Sequence, residues 1–130
     1  MNNEHCVKIC NSLLRGERSA IEAYREGVTS PPSTEIKQIL QEHVDSAIAL
    51  EQNILAMGGV PDLETGTWPT SGHTPAGQAF LLGEQTSLRD YQAALDDQFV
   101  LDECKTLIRS HLLPRIEQHL EALEQLHQTA

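Results

Sequence analysis

Two glutamates with matching surroundings are the residues of this sequence best suited to chemistry. Glu17 is followed by Tyr24 seven residues later, Glu84 is followed by Tyr91 at the same spacing, and a glycine precedes each glutamate. Both glutamates fall on the apolar stripe of a predicted helix, where burying an unpaired carboxylate is costly. The pattern therefore predicts two buried carboxylates, one in each half of the chain, that need a partner or a metal ion.

Two histidines could complete a metal site with these carboxylates. In two antiparallel helical hairpins, His43 and His111 are predicted to lie at heights similar to those of Glu17 and Glu84. Iron, manganese and zinc accept such a mixed set of oxygen and nitrogen ligands. A dinuclear site would also need Glu-x-x-His on two of the helices, and neither histidine has a glutamate three residues before it. Three further residues are ligand candidates with less suitable spacing: Glu51, Glu117 and His119.

The alternative role for the two glutamates is structural. Glu17 and Glu84 would then be satisfied by tyrosine hydroxyls, by Arg15 or Arg18, or by the other hairpin, and would hold the helices in register. Taken alone, the sequence favours this structural interpretation over a bound metal.

Four amphipathic helices are predicted to position these residues, because apolar side chains recur at steps of three and four along four segments. The predicted spans are 3–28, 34–57, 75–97 and 102–127. Ser33 or Thr34 can cap the second helix, and Gly58 and Gly59 end it. Pro114 lies inside the fourth helix, where it removes a backbone hydrogen bond and predicts a kink.

Residues 58–74 are predicted to form a long crossover loop, because they are rich in glycine and contain Pro61 and Pro69. Antiparallel neighbours in a bundle need much shorter connections. A helix of about 24 residues is about 36 Å long, and this segment can cover that distance when extended. The second and third helices would then run parallel. The alternative is a surface excursion within an up-down-up-down bundle.

The two halves of the chain look like copies of one helical hairpin. Besides the Glu and Tyr matches, an alignment pairs residues of the second and fourth helices: His43 with His111, Ile48 with Ile116 and Leu55 with Leu123. Duplicated hairpins joined by a crossover predict a four-helix bundle with an approximate twofold axis, and they place the equivalent Glu and His residues around it.

Composition excludes several classes of partner. The 130 residues contain 9 Lys+Arg and 19 Asp+Glu, for a net charge of −10, which argues against nucleic acid and anionic membranes. No apolar run approaches the roughly 20 residues of a membrane span. Three cysteines, Cys6, Cys10 and Cys104, without Cys-x-x-Cys, predict buried thiols rather than a disulfide framework or zinc ribbon. We expect a single all-helical domain over residues 1–130, in the cytoplasm.

Four segments of the sequence match a known pattern: residues 13–25, Gly58-Gly59-Val60-Pro61, residues 83–91 and residues 112–119. They resemble a small bacterial family of unknown function in the ferritin-like superfamily. The resemblance covers nearly the whole chain and implies a ferritin-like four-helix bundle with a crossover between its second and third helices. The Glu-to-Tyr spacing is also similar to that of diiron bacterioferritins and rubrerythrins. That likeness implies Glu17 and Glu84 as metal ligands, with Tyr24 and Tyr91 supporting them.

The function favoured by the sequence is that of a non-catalytic or accessory bundle with a buried polar core, which associates with further copies of itself. The alternative is a metal-binding protein, related to the diiron-carboxylate group, that handles iron or oxidative stress. Its metal would be iron, manganese or zinc, held by Glu17, His43, Glu84 and His111. Ferroxidase activity is not expected, because Glu-x-x-His is absent.

Overall fold

Four helices make up the part of the chain that this computed structural model describes, residues 3–27, 34–65 and 76–129. Helix α1 spans Glu4–Gly27, α2 spans Thr34–Ala56 and α3 spans Ala76–Asp96. Helix α4 is continuous from Asp102 and has three segments: α-helical Asp102–Leu107, a π-helical turn Ile108–Leu112 and α-helical Leu113–Thr129. The all-helical prediction is confirmed, and within the described ranges there is no strand.

The end of α2 depends on two glycines that do different things. Gly58 has a φ of +82°, a left-handed conformation that glycine adopts without steric cost. At Gly59 the backbone approaches α1 so closely that a Cβ would lie 2.7 Å from Cγ1 of Val7. The Gly59 N–H donates to the carbonyl of Ile54 at 2.9 Å and closes the last turn. The pair therefore both stops the helix and seats its end on α1.

Pro114 is accommodated by a π turn on its N-terminal side. Proline lacks an N–H, and in α-helical geometry its ring clashes with the carbonyl four residues earlier. The wider turn, in which the Leu113 N–H donates to the carbonyl of Ile108, makes room for the ring. Ile108 and Leu112 of this turn are four residues apart, and both are buried.

Contacts at the two ends of the bundle set the helix directions. Near one end the rings of Tyr24 and Phe80 stack with centroids 4.1 Å apart, and near the other His5 Nε2 lies 2.7 Å from Asp97 Oδ2. Helices α1 and α3 are therefore antiparallel. Because α1 and α2 form an antiparallel hairpin, α2 and α3 run parallel, as the crossover length predicts. Residues 66–75 of that crossover lie outside the described ranges.

The first part of the crossover is fastened to α1. Arg15 Nη1 donates to Asp62 Oδ2 at 2.7 Å, and Arg18 Nη1 donates to the carbonyl of Asp62. The Asp62 N–H donates to Asn11 Oδ1 at 2.7 Å. These bonds hold the chain against the hairpin as it leaves α2.

The apolar interior is divided into two clusters. The larger cluster includes Cys10 and Leu14 of α1, Leu50 of α2, Tyr91 of α3 and Ile116 of α4. The smaller cluster is formed by Ala20, Tyr24, Ile39, Phe80 and Leu123. Along every helix one buried ionisable residue stands between the members of the two clusters: Glu17, His43, Glu84 and His119. These four side chains form a polar layer that crosses the bundle.

The internal duplication is visible in α1 and α3 but not in the predicted alignment of α2 with α4. Glu17 and Glu84 are both buried, as are Tyr24 and Tyr91. The alignment of α2 with α4 instead pairs opposite environments. Ile48 and Leu55 are 47% and 60% exposed, while their predicted counterparts, Ile116 and Leu123, are buried. The apolar stripes of two helices can be aligned in several registers, and the register predicted from the helical period for α2 and α4 is wrong.

No helix of the described ranges is long and apolar enough to cross a membrane.

Candidate metal centre

The polar layer brings together one ionisable side chain from each helix. Relative exposure is 2% for Glu17, 1% for His43, 0% for Glu84 and 2% for His119. Each of the four falls on the inward stripe of its helix, which explains why the layer sits in the core rather than at the surface. Charges that are so deeply buried must be compensated within the layer.

His43 bridges the two carboxylates. Its Nδ1 lies 2.6 Å from Glu17 Oε2, and its Nε2 lies 2.7 Å from Glu84 Oε2. An ionised carboxylate can only accept, so both ring nitrogens donate and the imidazole is positively charged in this arrangement. Burial lowers the pKa of His43, but the charges of Glu17 and Glu84 outweigh burial and raise that pKa to about 10.

Each tyrosine donates to the carboxylate of the other hairpin. The Tyr24 hydroxyl donates to Glu84 Oε2 at 2.6 Å, and the Tyr91 hydroxyl donates to Glu17 Oε1 at 2.6 Å. Burial, together with the neighbouring carboxylates, raises the pKa of both phenols, so both remain protonated donors. The four groups are arranged with approximate twofold symmetry around His43.

His119 breaks this symmetry. Its Nδ1 lies 3.3 Å from Glu84 Oε1, and its Nε2 lies 2.7 Å from Oε1 of Glu42, a partly exposed residue of α2. Burial raises the pKa of Glu84, but the charge of His43 and the hydrogen bond from His119 outweigh burial and lower that pKa to about 2. Glu84 is therefore an ionised carboxylate held by Tyr24, His43 and His119.

Of the four predicted ligands, the structure brings three together. Glu17, His43 and Glu84 meet in the layer, whereas His111 is exposed. His111 lies in the π turn, where Ile108 and Leu112 take the inward positions. The prediction that His111 takes a place equivalent to that of His43 is therefore wrong, because His43 is buried and His111 is exposed.

The three further ligand candidates of the sequence, Glu51, Glu117 and His119, lie in different environments. Glu51 accepts from Arg18 Nη2 at 3.3 Å, and Glu117 is exposed. His119 belongs to the layer. A signal for it exists in the sequence, because His119 follows Ile116 by three residues and precedes Leu123 by four, which continues the inward stripe of α4.

The two arginines that the structural interpretation offered as partners of Glu17 and Glu84 bind other residues. Arg15 and Arg18 bind Asp62 and Glu51, so the hydrogen bonds to Glu17 and Glu84 come from the tyrosines and histidines instead. The spacing of Glu42 pairs it with Asp45, three residues later on α2, and does not indicate that it contacts His119 of α4.

Three side chains offer ligand atoms to one point. One atom each of His43, Glu84 and His119 lie within 4.8 Å of one another. Two imidazole nitrogens and one carboxylate oxygen form a donor set that zinc and ferrous iron accept.

Neither a protein-family model nor a curated protein matches this chain. A solved structure described as a ferritin-like, diiron-carboxylate protein from Bacillus anthracis str. Ames superposes with a TM-score of 0.80, covering 97% of this chain and 99% of that chain. The fold is ferritin-like. The two sequences are 16% identical, so the likeness establishes the fold, and the chemistry must be argued from the residues of the layer.

This ferritin-like bundle lacks the donors of a dinuclear site. A dinuclear carboxylate site uses a glutamate on each of two helices and Glu-x-x-His on each of the other two. Three residues before His119 stands Ile116, and three residues before His43 stands Leu40. The residues present therefore fit one ion rather than two.

Proposed function

We propose that this protein binds a single divalent transition-metal ion in its polar layer, with His43, Glu84 and His119 as ligands. Zinc, ferrous iron and manganous ions suit this set, because all three accept imidazole nitrogen together with carboxylate oxygen. Fold alone would not support the proposal, although a diiron-carboxylate protein shares the fold.

The main support for the proposal is that each imidazole has one ring nitrogen hydrogen-bonded to a carboxylate of its own, on the side away from Glu84. Glu17 lies 2.6 Å from Nδ1 of His43, and Glu42 lies 2.7 Å from Nε2 of His119. The opposite nitrogen of each ring faces Glu84. A ligating histidine usually has its second nitrogen bound in this way, which fixes the ring orientation and makes it a stronger ligand.

Glu84 is also oriented by a hydrogen bond from a neighbouring side chain. Its Oε2 accepts the hydroxyl proton of Tyr24 at 2.6 Å, which holds the carboxylate in place. Glu84 is also the carboxylate that both imidazoles share, so it is the natural oxygen ligand, whereas Glu17 acts through His43. This division of roles differs from the dinuclear arrangement, in which both glutamates would be ligands.

A second candidate function is a purely structural layer, and a specific observation favours it. Among the described residues, no buried side-chain nitrogen or oxygen lacks a hydrogen-bond partner. The ion pairs of His43 with Glu17 and Glu84 could therefore serve to fix the register of the four helices. Under this function the protein would hold no metal, and changes in the layer would alter stability only.

Metal content after reconstitution separates the two functions. Protein stripped with a chelator is dialysed against zinc or ferrous iron under anaerobic conditions, and bound metal is measured by mass spectrometry. The proposal expects about one ion per chain in the wild type, loss of that ion in His119→Ala, and full retention in the matched control His111→Ala. A wild type that binds no metal, or a His119→Ala variant that keeps it, would support the structural function instead.

Self-association and a cytoplasmic location are further proposals. Apolar side chains exposed on α2 and at the start of the crossover support a contact surface between copies: Ile48, Leu55, Val60 and Leu63. Sedimentation velocity tests the first proposal, since a monomer at all concentrations would exclude it.

A further inference from the structure

A second cluster of potential metal ligands lies outside the polar layer. Cys6, Cys10 and Cys104 are all buried, with exposures of 1%, 0% and 1%. Their Sγ atoms lie within 4.8 Å of one another, and those of Cys10 and Cys104 are 3.1 Å apart. Cys6 and Cys10 are one turn apart on α1, and Cys104 comes from the first segment of α4. Two helices that are distant in sequence thus place three thiols together, a grouping that helical periodicity alone does not require.

We propose that Cys6, Cys10 and Cys104 form a metal site for a single thiophilic cation, monovalent copper. A three-coordinate ion with metal–sulfur bonds of about 2.3 Å needs sulfurs about 4 Å apart. The Sγ atoms of Cys10 and Cys104 are closer than that, at 3.1 Å, and all three sulfurs lie within 4.8 Å of one another, so small side-chain adjustments would enclose an ion.

The number of ligands selects the metal. Among the described residues, the group that could hold an ion here contains thiols alone. Structural zinc is almost always four-coordinate, and iron–sulfur clusters use four protein ligands. Thiolates are soft ligands that favour monovalent copper, and a set of three leaves no position to be filled by water in a buried apolar site.

The surroundings of the sulfurs support a metal–thiolate site. Asn53 Nδ2 donates to Cys10 Sγ, and the Leu101 N–H donates to Cys6 Sγ, each at 3.5 Å. Donors of this kind stabilise negative charge on sulfur and orient it. The remaining neighbours are the apolar residues of the larger core cluster, which would exclude water and oxidants.

Binding needs no oxidant or reductant. Copper enters as the monovalent ion and leaves in the same state, and each thiol that becomes a ligand releases its proton to solvent as its sulfur binds. The site uses none of the side chains of the polar layer, so it can be present or absent independently of the metal proposed there.

A competition titration tests the site. Reduced wild-type protein is titrated anaerobically with monovalent copper in the presence of bicinchoninate, whose copper complex is coloured. We expect the protein to withhold one equivalent of copper from the chelator and to develop near-ultraviolet sulfur-to-copper absorption. Cys104→Ser should weaken binding by about tenfold or more, while His119→Ala should bind copper as the wild type does.

Two results would overturn the proposal. In one, the wild type leaves all copper with the chelator. In the other, the triple variant Cys6→Ala, Cys10→Ala, Cys104→Ala withholds copper as well as the wild type. Should Cys104→Ser lose its helical circular dichroism, Cys104→Ala, which keeps the position apolar, replaces it. A reduced wild type that leaves all copper with the chelator is decisive without either variant.

Discussion

Tyr24 donates its hydroxyl proton to Glu84, a residue of the other hairpin, at 2.6 Å, rather than to Glu17 on its own helix. A spacing of seven residues puts Tyr24 and Glu17 on one face but about 10 Å apart along the helix axis, which is beyond a hydrogen bond. The antiparallel packing of α1 against α3 brings Tyr24 opposite Glu84, and it brings Tyr91 opposite Glu17. In this exchange, each copy of the repeated motif supplies the tyrosine that donates to the glutamate of the other copy.

This exchange predicts that the two tyrosines contribute similarly to stability. Tyr24→Phe and Tyr91→Phe each remove a buried hydrogen bond to an ionised carboxylate, and we expect each to lower the free energy of unfolding by about 1.5 to 3 kcal/mol. Urea denaturation of the metal-free protein measures the change. A loss confined to one of the two variants would contradict the symmetric exchange.

Replacing His43 should be the most damaging single change in the layer. In His43→Gln, Glu17 and Glu84 lose the positive charge that lies between them, and breaking a buried ion pair in this way costs about 3 to 5 kcal/mol. Thermal unfolding with a chelator present measures the effect. The control is His111→Gln, an exposed histidine that should change stability by no more than about 0.5 kcal/mol.

The stability of the metal-free protein should fall as the pH rises from neutral. The pKa of His43 is raised from 6.5 to about 10 on folding, so between these values the folded protein holds a proton that the unfolded chain has lost. Stability is fully present below pH 6.5 and decreases above it, by at most about 1.4 kcal/mol per pH unit.

At acid pH the sign is reversed. The pKa of Glu84 is lowered from 4.5 to about 2, so its contribution is present above pH 4.5 and is lost as the pH falls towards 2. Urea denaturation across the pH range should therefore show a maximum between about pH 4.5 and 6.5. His43→Gln should flatten the alkaline side, and a wild type with constant stability from pH 7 to about pH 9.5 would contradict the charge assignment of His43.

Two glycine substitutions should act in opposite directions. A Cβ at Gly16 meets no atom within 4 Å, so Gly16→Ala should stabilise α1 by up to about 1 kcal/mol. A Cβ at Gly59 would lie 2.7 Å from Val7 Cγ1, so Gly59→Ala should destabilise by about 1 to 3 kcal/mol through overpacking. Melting temperatures compare the pair directly, and equal shifts would show that α2 does not end against α1 as described.

The sequence predicted the helices well because their ends carry strong local signals. Gly58 and Gly59 stop α2, and the length of the segment after them correctly implied that α2 and α3 run parallel. These features depend on neighbouring residues and on chain length, both of which can be read directly.

The site was only partly predictable, because it depends on registers between helices. Glu17, His43 and Glu84 could be found as polar residues on apolar stripes. His111 was preferred over His119 because amphipathic helices align in several registers, and the π turn, in which His111 is exposed, has no clear signal beyond Pro114. The exchange of tyrosines and the meeting of Cys104 with α1 arise only when the bundle is assembled.

Anomalous X-ray scattering from crystals of the zinc-reconstituted protein, recorded on both sides of the zinc absorption edge, would locate the bound ions. A single-ion site predicts one peak in the polar layer, bounded by His43 Nε2, Glu84 and His119 Nδ1, with Glu17 and Glu42 still bound to the far nitrogens of the two rings. Two peaks about 3.5 to 4 Å apart would indicate a dinuclear site. Either that result or an empty layer would contradict the single-ion site.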